Sequence, residues 1–163
     1  MGGILNIRNV REGDFIRIAE LAWKCKPMAT ERNSIYHLFT KFFSSTSFVA
    51  EEDQRIIGFL LGFISQDNPE EAYIHLLCVH PRFRRDGIAS KLLKEFIETV
   101  KMKNIKRISL ITKPINKRAI SFYRKHGFKD YDGPETCRSG DVNVFKDYNG
   151  EGEDMVLFEK LFM

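Results

Sequence analysis

The segment Val79-His80-Pro81-Arg82-Phe83-Arg84-Arg85-Asp86-Gly87-Ile88-Ala89 joins an apolar run to an amphipathic one through a basic turn holding a single glycine. Upstream, Ala72 to Val79 is rich in β-branched, aromatic and aliphatic residues and stops before Pro81, which predicts a buried strand. Downstream, Ile88, Ala89, Leu92, Leu93, Phe96, Ile97 and Val100 recur at helical spacing, with Lys91, Lys94, Glu95, Glu98 and Lys101 on the opposite face. The helix therefore starts at or near Gly87. Its first N–H groups have no intrahelical acceptor and the helix dipole adds partial positive charge, so the turn suits a phosphate or pyrophosphate. The same strand, turn and helix also occur in α/β proteins that bind no anion. One glycine matches neither the G-x-G-x-x-G dinucleotide fingerprint nor the G-x-x-x-x-G-K-[ST] loop.

A second segment follows the strand-like run Arg107 to Thr112. In the stretch from Asn116 to Phe128, Asn116 is a candidate N-cap and Gly127 a candidate C-cap. They bracket about three helical turns whose inner face is Ala119, Ile120 and Tyr123. On composition alone Tyr123 is a packed core aromatic. The two segments read V-x-P-x-F-R-x-x-G-I-A-x-x-L and N-x-x-A-x-x-F-Y-x-x-x-G-F, and on these motifs the chain resembles the GNAT superfamily of acetyl-CoA-dependent N-acetyltransferases. The resemblance covers essentially the whole chain and is specific between Val79 and Phe128.

The resemblance implies a single α/β (α+β) domain over residues 1–163. Its mixed, mostly antiparallel sheet would have about six to seven strands, flanked by about four helices. That sheet would open where the fourth and fifth strands part to admit the coenzyme. Acetyl-CoA is implied as co-substrate, met by Leu77, Cys78, Val79, Arg84, Arg85, Asp86, Gly87, Ile88, Ala89 and Asn116. Arg84 opens the motif, Gly87 permits close backbone approach, Ala89 fills the small position, and a backbone N–H within Leu77–Val79 serves the developing oxyanion. Tyr123 is implied as the acid that protonates the departing thiolate.

The base is less defined. Tyr73 stands near the position where some family members carry a glutamate. Strand alternation places His75 on one face with Tyr73, Leu77 and Val79. His75 is then either a base, acting directly or through water, or a hydrogen-bonded interior histidine. Glu70, Glu71 and Glu51 are alternatives at strand ends. Alternation also turns Cys78 away from His75, which favours direct transfer over an acetyl-cysteine intermediate.

The rest of the chain fits around these motifs. A strand is expected over Ile4–Val10. A helix capped by Asp14 should bury Phe15, Ile18, Leu21, Ala22 and Cys25 and end at Pro27. A second helix should present Ile35, Leu38, Phe39 and Phe42. Strands are expected from Phe48, over Ile56–Ile64, over Val142–Phe145 and over Met155–Leu161, with a solvated acidic connection at 147–154.

With 163 residues, 43% of them hydrophobic, the chain can bury one substantial core. No run approaches the roughly 18 apolar residues of a membrane span, and Met1-Gly2-Gly3-Ile4 lacks the character of a secretory signal. A soluble cytoplasmic protein is expected. Three cysteines, Cys25, Cys78 and Cys137, lie far apart and suggest neither a disulfide framework nor a zinc site, so reduced structural thiols and no metal are expected. The net charge is +4, and Arg82, Arg84, Arg85, Lys117, Arg118, Arg124 and Lys125 fall in the two motif segments, where they could steer coenzyme phosphates. Zinc-finger spacing, an RNP-type strand and a long basic block are lacking, which argues against nucleic acid.

The acceptor is expected to be a primary amine of a small molecule or of a peptide or protein, chosen by residues 23–43 and 132–141. A non-catalytic acyl-CoA sensor is the alternative. A homodimer through the last strands is common in the family and is carried as an expectation.

Overall fold

The computed structural model describes residues 3–28 and 30–163; Met1, Gly2 and Ala29, the last within the expected acceptor segment, lie outside the described residues. The chain divides into two compact units, residues 1–105 and 106–163.

In the first unit, β1 (Asn6–Asn9), β2 (Phe48–Glu52), β3 (Arg55–Ile64) and β4 (Glu71–Val79) lie side by side in that order, each antiparallel to its neighbour. Alternation along β3 sends Phe59, Leu61 and Phe63 to one face, where they join the cluster formed with α1 (Phe15–Ala22) and α2 (Asn33–Lys41). Gly58 and Gly62 point the other way, toward α3 (Ile88–Lys101). A Cβ on Gly62 would stand 2.5 Å from the Phe96 ring, so the missing side chain is what lets α3 settle on the sheet. Leu92, Leu93 and Phe96 of α3 are fully buried, each contributing about 2 kcal/mol of apolar transfer energy.

The β3–β4 register shifts at one point. Leu61 pairs with Leu76 and Gly62 with Ile74, which leaves His75 as the extra residue of a β-bulge. The Gly62 backbone near this irregularity is served from the side: its C=O accepts from Thr46 Oγ1 at 2.8 Å, and its N–H donates to Ser47 Oγ at 3.2 Å. Both hydroxyl residues are buried.

Three expectations for this unit are corrected. Asp14 does not cap α1 with its side chain. Its carboxylate accepts from the Arg11 N–H at 2.8 Å, closing the short 3-10 turn Glu12–Asp14, and pairs with Arg8 at 2.8 Å. The helix ends at Ala22, well before Pro27, because the chain tightens through Lys24 N–H to Leu21 C=O and Cys25 N–H to Ala22 C=O. In α2 the buried positions are Tyr36, Phe39 and Thr40, while Leu38 and Phe42 are exposed. Hydroxyl partners explain the inversion: Tyr36 Oη accepts the Glu31 N–H, and Thr40 Oγ1 donates to the Glu12 C=O.

In the second unit, β5 (Arg107–Thr112), β9 (Val156–Leu161) and β6 (Lys129–Asp130) pair antiparallel in the order β5-β9-β6. A hairpin of β7 (Cys137–Ser139) and β8 (Val142–Val144) accompanies them. The pairings described within the units are antiparallel and the described residues form four α-helices, in keeping with the mostly antiparallel sheet and about four helices that the family resemblance implies. The connection at 147–154 closes on itself, since Asp147 Oδ1 accepts the Gly152 N–H and Asp154 Oδ1 accepts the Asp147 N–H. Among the described residues no acidic, histidine or cysteine cluster is arranged to hold a metal, and no helix is long and apolar enough to cross a membrane.

Candidate active site

Helix α4 (Lys117–Lys125) is built by local chemistry from end to end. Asn116 Oδ1 accepts the Ala119 N–H at 3.3 Å, capping the first turn. At the other end Gly127 adopts φ +81°, the Phe128 N–H reaches the Tyr123 C=O and the Gly127 N–H reaches the Arg124 C=O. That pair of bonds is a Schellman closure, which requires the left-handed residue glycine supplies. Ile120 and Tyr123 are buried as expected and Ala119 is half-buried. The Tyr123 ring packs among Phe122, Phe128 and Phe158, with centroids 5.2 to 6.3 Å away.

The turn between β4 and α3 has the form an anion cradle needs. Arg84 Nε donates to the Val79 C=O at 3.2 Å and ties the loop back to the strand. Arg85 and Gly87 both have φ +75°, a left-handed geometry that costs the arginine about 1 kcal/mol. The first bond of α3 runs from the Lys91 N–H to the Gly87 C=O, so the amides of Ile88 and Ala89 precede any i−4 partner. A Cβ added at Gly87 would meet nothing within 4 Å, so the space beside this backbone is open. The open backbone, the helix end and exposed Arg85 fit a pyrophosphate such as that of coenzyme A. The Ile88 side chain is buried in the core, so this residue offers only its backbone.

The basic residues divide. Lys117 and Arg124 are bound to Asp141, and Arg124 also to Asp130, which removes two of the seven cations expected to meet phosphates. Arg118 and Lys125 are exposed. Arg82 lines a cleft of about 380 Å³ with Arg17, Lys24 and Arg55.

On β4 the bulge changes which residues share a face. The rings of Tyr73 and His75 turn toward Phe63 and Phe39. Past the bulge Leu76 and Cys78 join that same cluster, so Leu77 and Val79 do not share the His75 face as simple alternation predicts. Cys78 comes to the His75 side instead of pointing away. It forms a disulfide with Cys25, whose Cα lies 6.1 Å distant, within the range such a bridge requires. The expectation of reduced thiols fails here because residues far apart in sequence are brought together by the packing of the α1 region on β4. Direct transfer remains the reading, since Cys78 is occupied. Cys137 is free and exposed.

His75 Nε2 lies 3.1 Å from Glu31 Oε1, and its ring stacks on Phe39 at 5.0 Å with an interplanar angle of 8°. Burial pushes the imidazole below its ordinary pKa, while the Glu31 carboxylate pulls the other way. Phe43, Phe63 and Tyr73 extend the aromatic wall, with centroids 5.3 and 5.6 Å apart along Phe43–Phe63–Tyr73. Sequence patterning does not single out Glu31. It lies outside any helix or strand, and its N–H donates to the hydroxyl of Tyr36, buried behind it. The near-continuous apolar run of β4 carries no sign of the bulge.

The family model for the acetyltransferase (GNAT) family matches residues 15–128. The chain belongs to the GNAT acetyltransferase family. As a GNAT protein it is an acetyltransferase using acetyl-CoA, and not an acyl-CoA sensor. An N-terminal acetyltransferase complex ARD1 subunit homolog of Dictyostelium discoideum is 28% identical, the match covering 96% of this chain and 74% of the relative. An L-2,4-diaminobutyric acid acetyltransferase of Vibrio parahaemolyticus is also 28% identical, over 71% of this chain and 63% of the relative. The structure of diaminobutyrate acetyltransferase EctA from Paenibacillus lautus, in complex with L-2,4-diaminobutyric acid and coenzyme A, superposes with a TM-score of 0.78. It is 20% identical to this GNAT chain, and the match covers 99% of this chain and 98% of that one.

Proposed function

We propose that the chain moves the acetyl group of acetyl-CoA directly to the α-amine of a peptide whose first side chain is apolar. Both units would act together as one domain, with His75 as base and Tyr123 as acid. The observation that carries this reading is the weak base set in an aromatic wall. At pH 7 a lysine-like amine, with pKa about 10.4, is neutral in about one molecule in 2,500, and freeing it costs about 4.6 kcal/mol. A peptide α-amine, with pKa about 7.7–8.0, costs only about 1 kcal/mol. Burial makes His75 a poorer base than free imidazole, which suits the second task and not the first. Phe39, Phe43, Phe63 and Tyr73 beside it suit an apolar side chain next to the reacting nitrogen.

Bound acetyl-CoA supplies a thioester carbonyl for attack and a thiolate to leave. Backbone groups of Arg84, Arg85, Asp86, Gly87, Ile88 and Ala89 would hold the pyrophosphate, with Asn116 as a further contact, and backbone groups of Leu77, Cys78 and Val79 would lie along the acyl end. An N–H among these three would stabilise charge on the carbonyl oxygen. As the N–C bond forms and the C–S bond breaks, the amine proton passes to His75 and the Tyr123 hydroxyl protonates the sulfur. Names among the relatives divide between amino-terminal and diaminobutyrate acetyltransferases, and the aromatic wall favours the first. A cytoplasmic site of action and a homodimer through the last strands belong to the same proposal; sedimentation velocity reads the dimer.

Thiol release from acetyl-CoA tests the reading. Peptides beginning with Met or Leu should turn over faster than L-2,4-diaminobutyrate, free lysine or a polyamine. Faster turnover of diaminobutyrate would overturn the acceptor, and tight coenzyme binding without turnover on any amine would overturn the transfer.

A further inference from the structure

The His75–Glu31 contact joins β4 to the segment ahead of α2 across 44 residues of chain, and both side chains are mostly withdrawn from water, at 27% and 29% exposure. A neutral imidazole carries one proton, on either nitrogen. The nitrogen facing a carboxylate is the one that keeps it, because Glu31 Oε1 can only accept. We infer that Glu31 is a positioning residue for catalysis: it holds the proton of His75 on Nε2, so that Nδ1 presents the lone pair that accepts the proton of the acceptor amine. The inference rests on the reading of His75 as the base.

Two further contacts make the arrangement rigid. Phe39 stacks flat on the imidazole, which fixes the ring plane, and Tyr36 Oη, buried in the core, holds the Glu31 N–H at 3.0 Å. With ring plane and partner both fixed, the Nδ1 lone pair points in one direction. The charged group acting on His75 among the described residues is Glu31; Tyr73 on its own strand, with a ring centroid 6.4 Å away, and Tyr36 behind Glu31 are its titratable neighbours. When His75 takes up the amine proton on Nδ1, the resulting imidazolium lies against the Glu31 carboxylate, which stabilises it. That proton then leaves to solvent once the amide has formed.

Nitrogen-15 spectra of His75 in the natural chain read the tautomer directly. The neutral ring should be protonated at Nε2. In Glu31→Gln the His75 titration should move to lower pH, because the carboxylate that favours imidazolium is gone. Turnover should fall about tenfold and its acid limb move the same way, with KM for acetyl-CoA changed less than about twofold. A proton on Nδ1 in the natural chain, or a His75 titration unmoved in Glu31→Gln, would overturn the inference while leaving His75 as base. If His75→Ala leaves the pH profile unchanged, the base reading falls and this role for Glu31 falls with it.

Discussion

The segment Asn116–Phe128 and the His75–Glu31 pair both carry proposed chemistry, yet they are assembled in opposite ways. In the first, both helix ends are closed by contacts within thirteen consecutive residues, a side-chain cap at Asn116, i−4 bonds and a Schellman turn at Gly127, with one distant addition from Lys160 Nζ to the His126 C=O. In the second, the partners are 44 residues apart, one on a bulge and the other in a segment without regular structure. Local chemistry yields a frame specified by its own sequence neighbours. Long-range contact yields a tunable group, whose proton affinity is set by burial against one carboxylate. A transferase needs both, the frame to hold the acid and the tunable group to match its acceptor.

The largest expected effect falls on the frame. Tyr123→Phe removes a single oxygen from a ring already buried among Phe122, Phe128 and Phe158, so folding should survive. Turnover should fall about 100-fold, the share typical of a general acid, with the affinity for acetyl-CoA unchanged. Loss below about threefold would reduce Tyr123 to a core aromatic and remove its part in the contrast.

His75→Ala is next in size and has a different signature. Because a base matters most where the acceptor amine is protonated, the deficit should be about tenfold near neutral pH and shrink as pH rises past the pKa of the amine. Burial lowers the His75 pKa, so activity in the natural chain should persist to the acid side of free imidazole before it declines. A deficit independent of pH would mean that the ring matters for packing on Phe39 rather than for proton transfer.

The same contrast explains what could be read from the amino acids. The segments 79–89 and 116–128, α3, β5 and α4 are legible because each is specified by neighbours in the chain. Gly87 takes φ +75°, Asn116 caps, and Gly127 closes. The spacing of α2 points to Ile35, Leu38, Phe39 and Phe42 as its inner face, whereas Tyr36 and Thr40 are buried, the first with its hydroxyl on the Glu31 N–H just ahead of the helix and the second with its hydroxyl on the Glu12 C=O, 28 residues away. Cys25–Cys78 and Glu31–His75 were unreadable for the same reason: each depends on the α1–α2 region meeting β4. The bulge inverts alternation after His75, so every statement about faces beyond it shifted by one residue.

Asn116 gives the smallest effect and the cleanest division between frame and site. Its Oδ1 is already committed to the Ala119 N–H, as an N-cap requires. Asn116→Ala should therefore cost about 1 kcal/mol of stability in urea unfolding, the usual value of a lost cap. Because backbone contacts to the coenzyme would persist, KM for acetyl-CoA should rise less than about twofold. If KM rises much further while stability falls by the same amount, the Asn116 side chain serves the coenzyme as well as the helix. The frame would then be part of the binding surface, and the separation between a locally built scaffold and a distantly built site would hold only on β4.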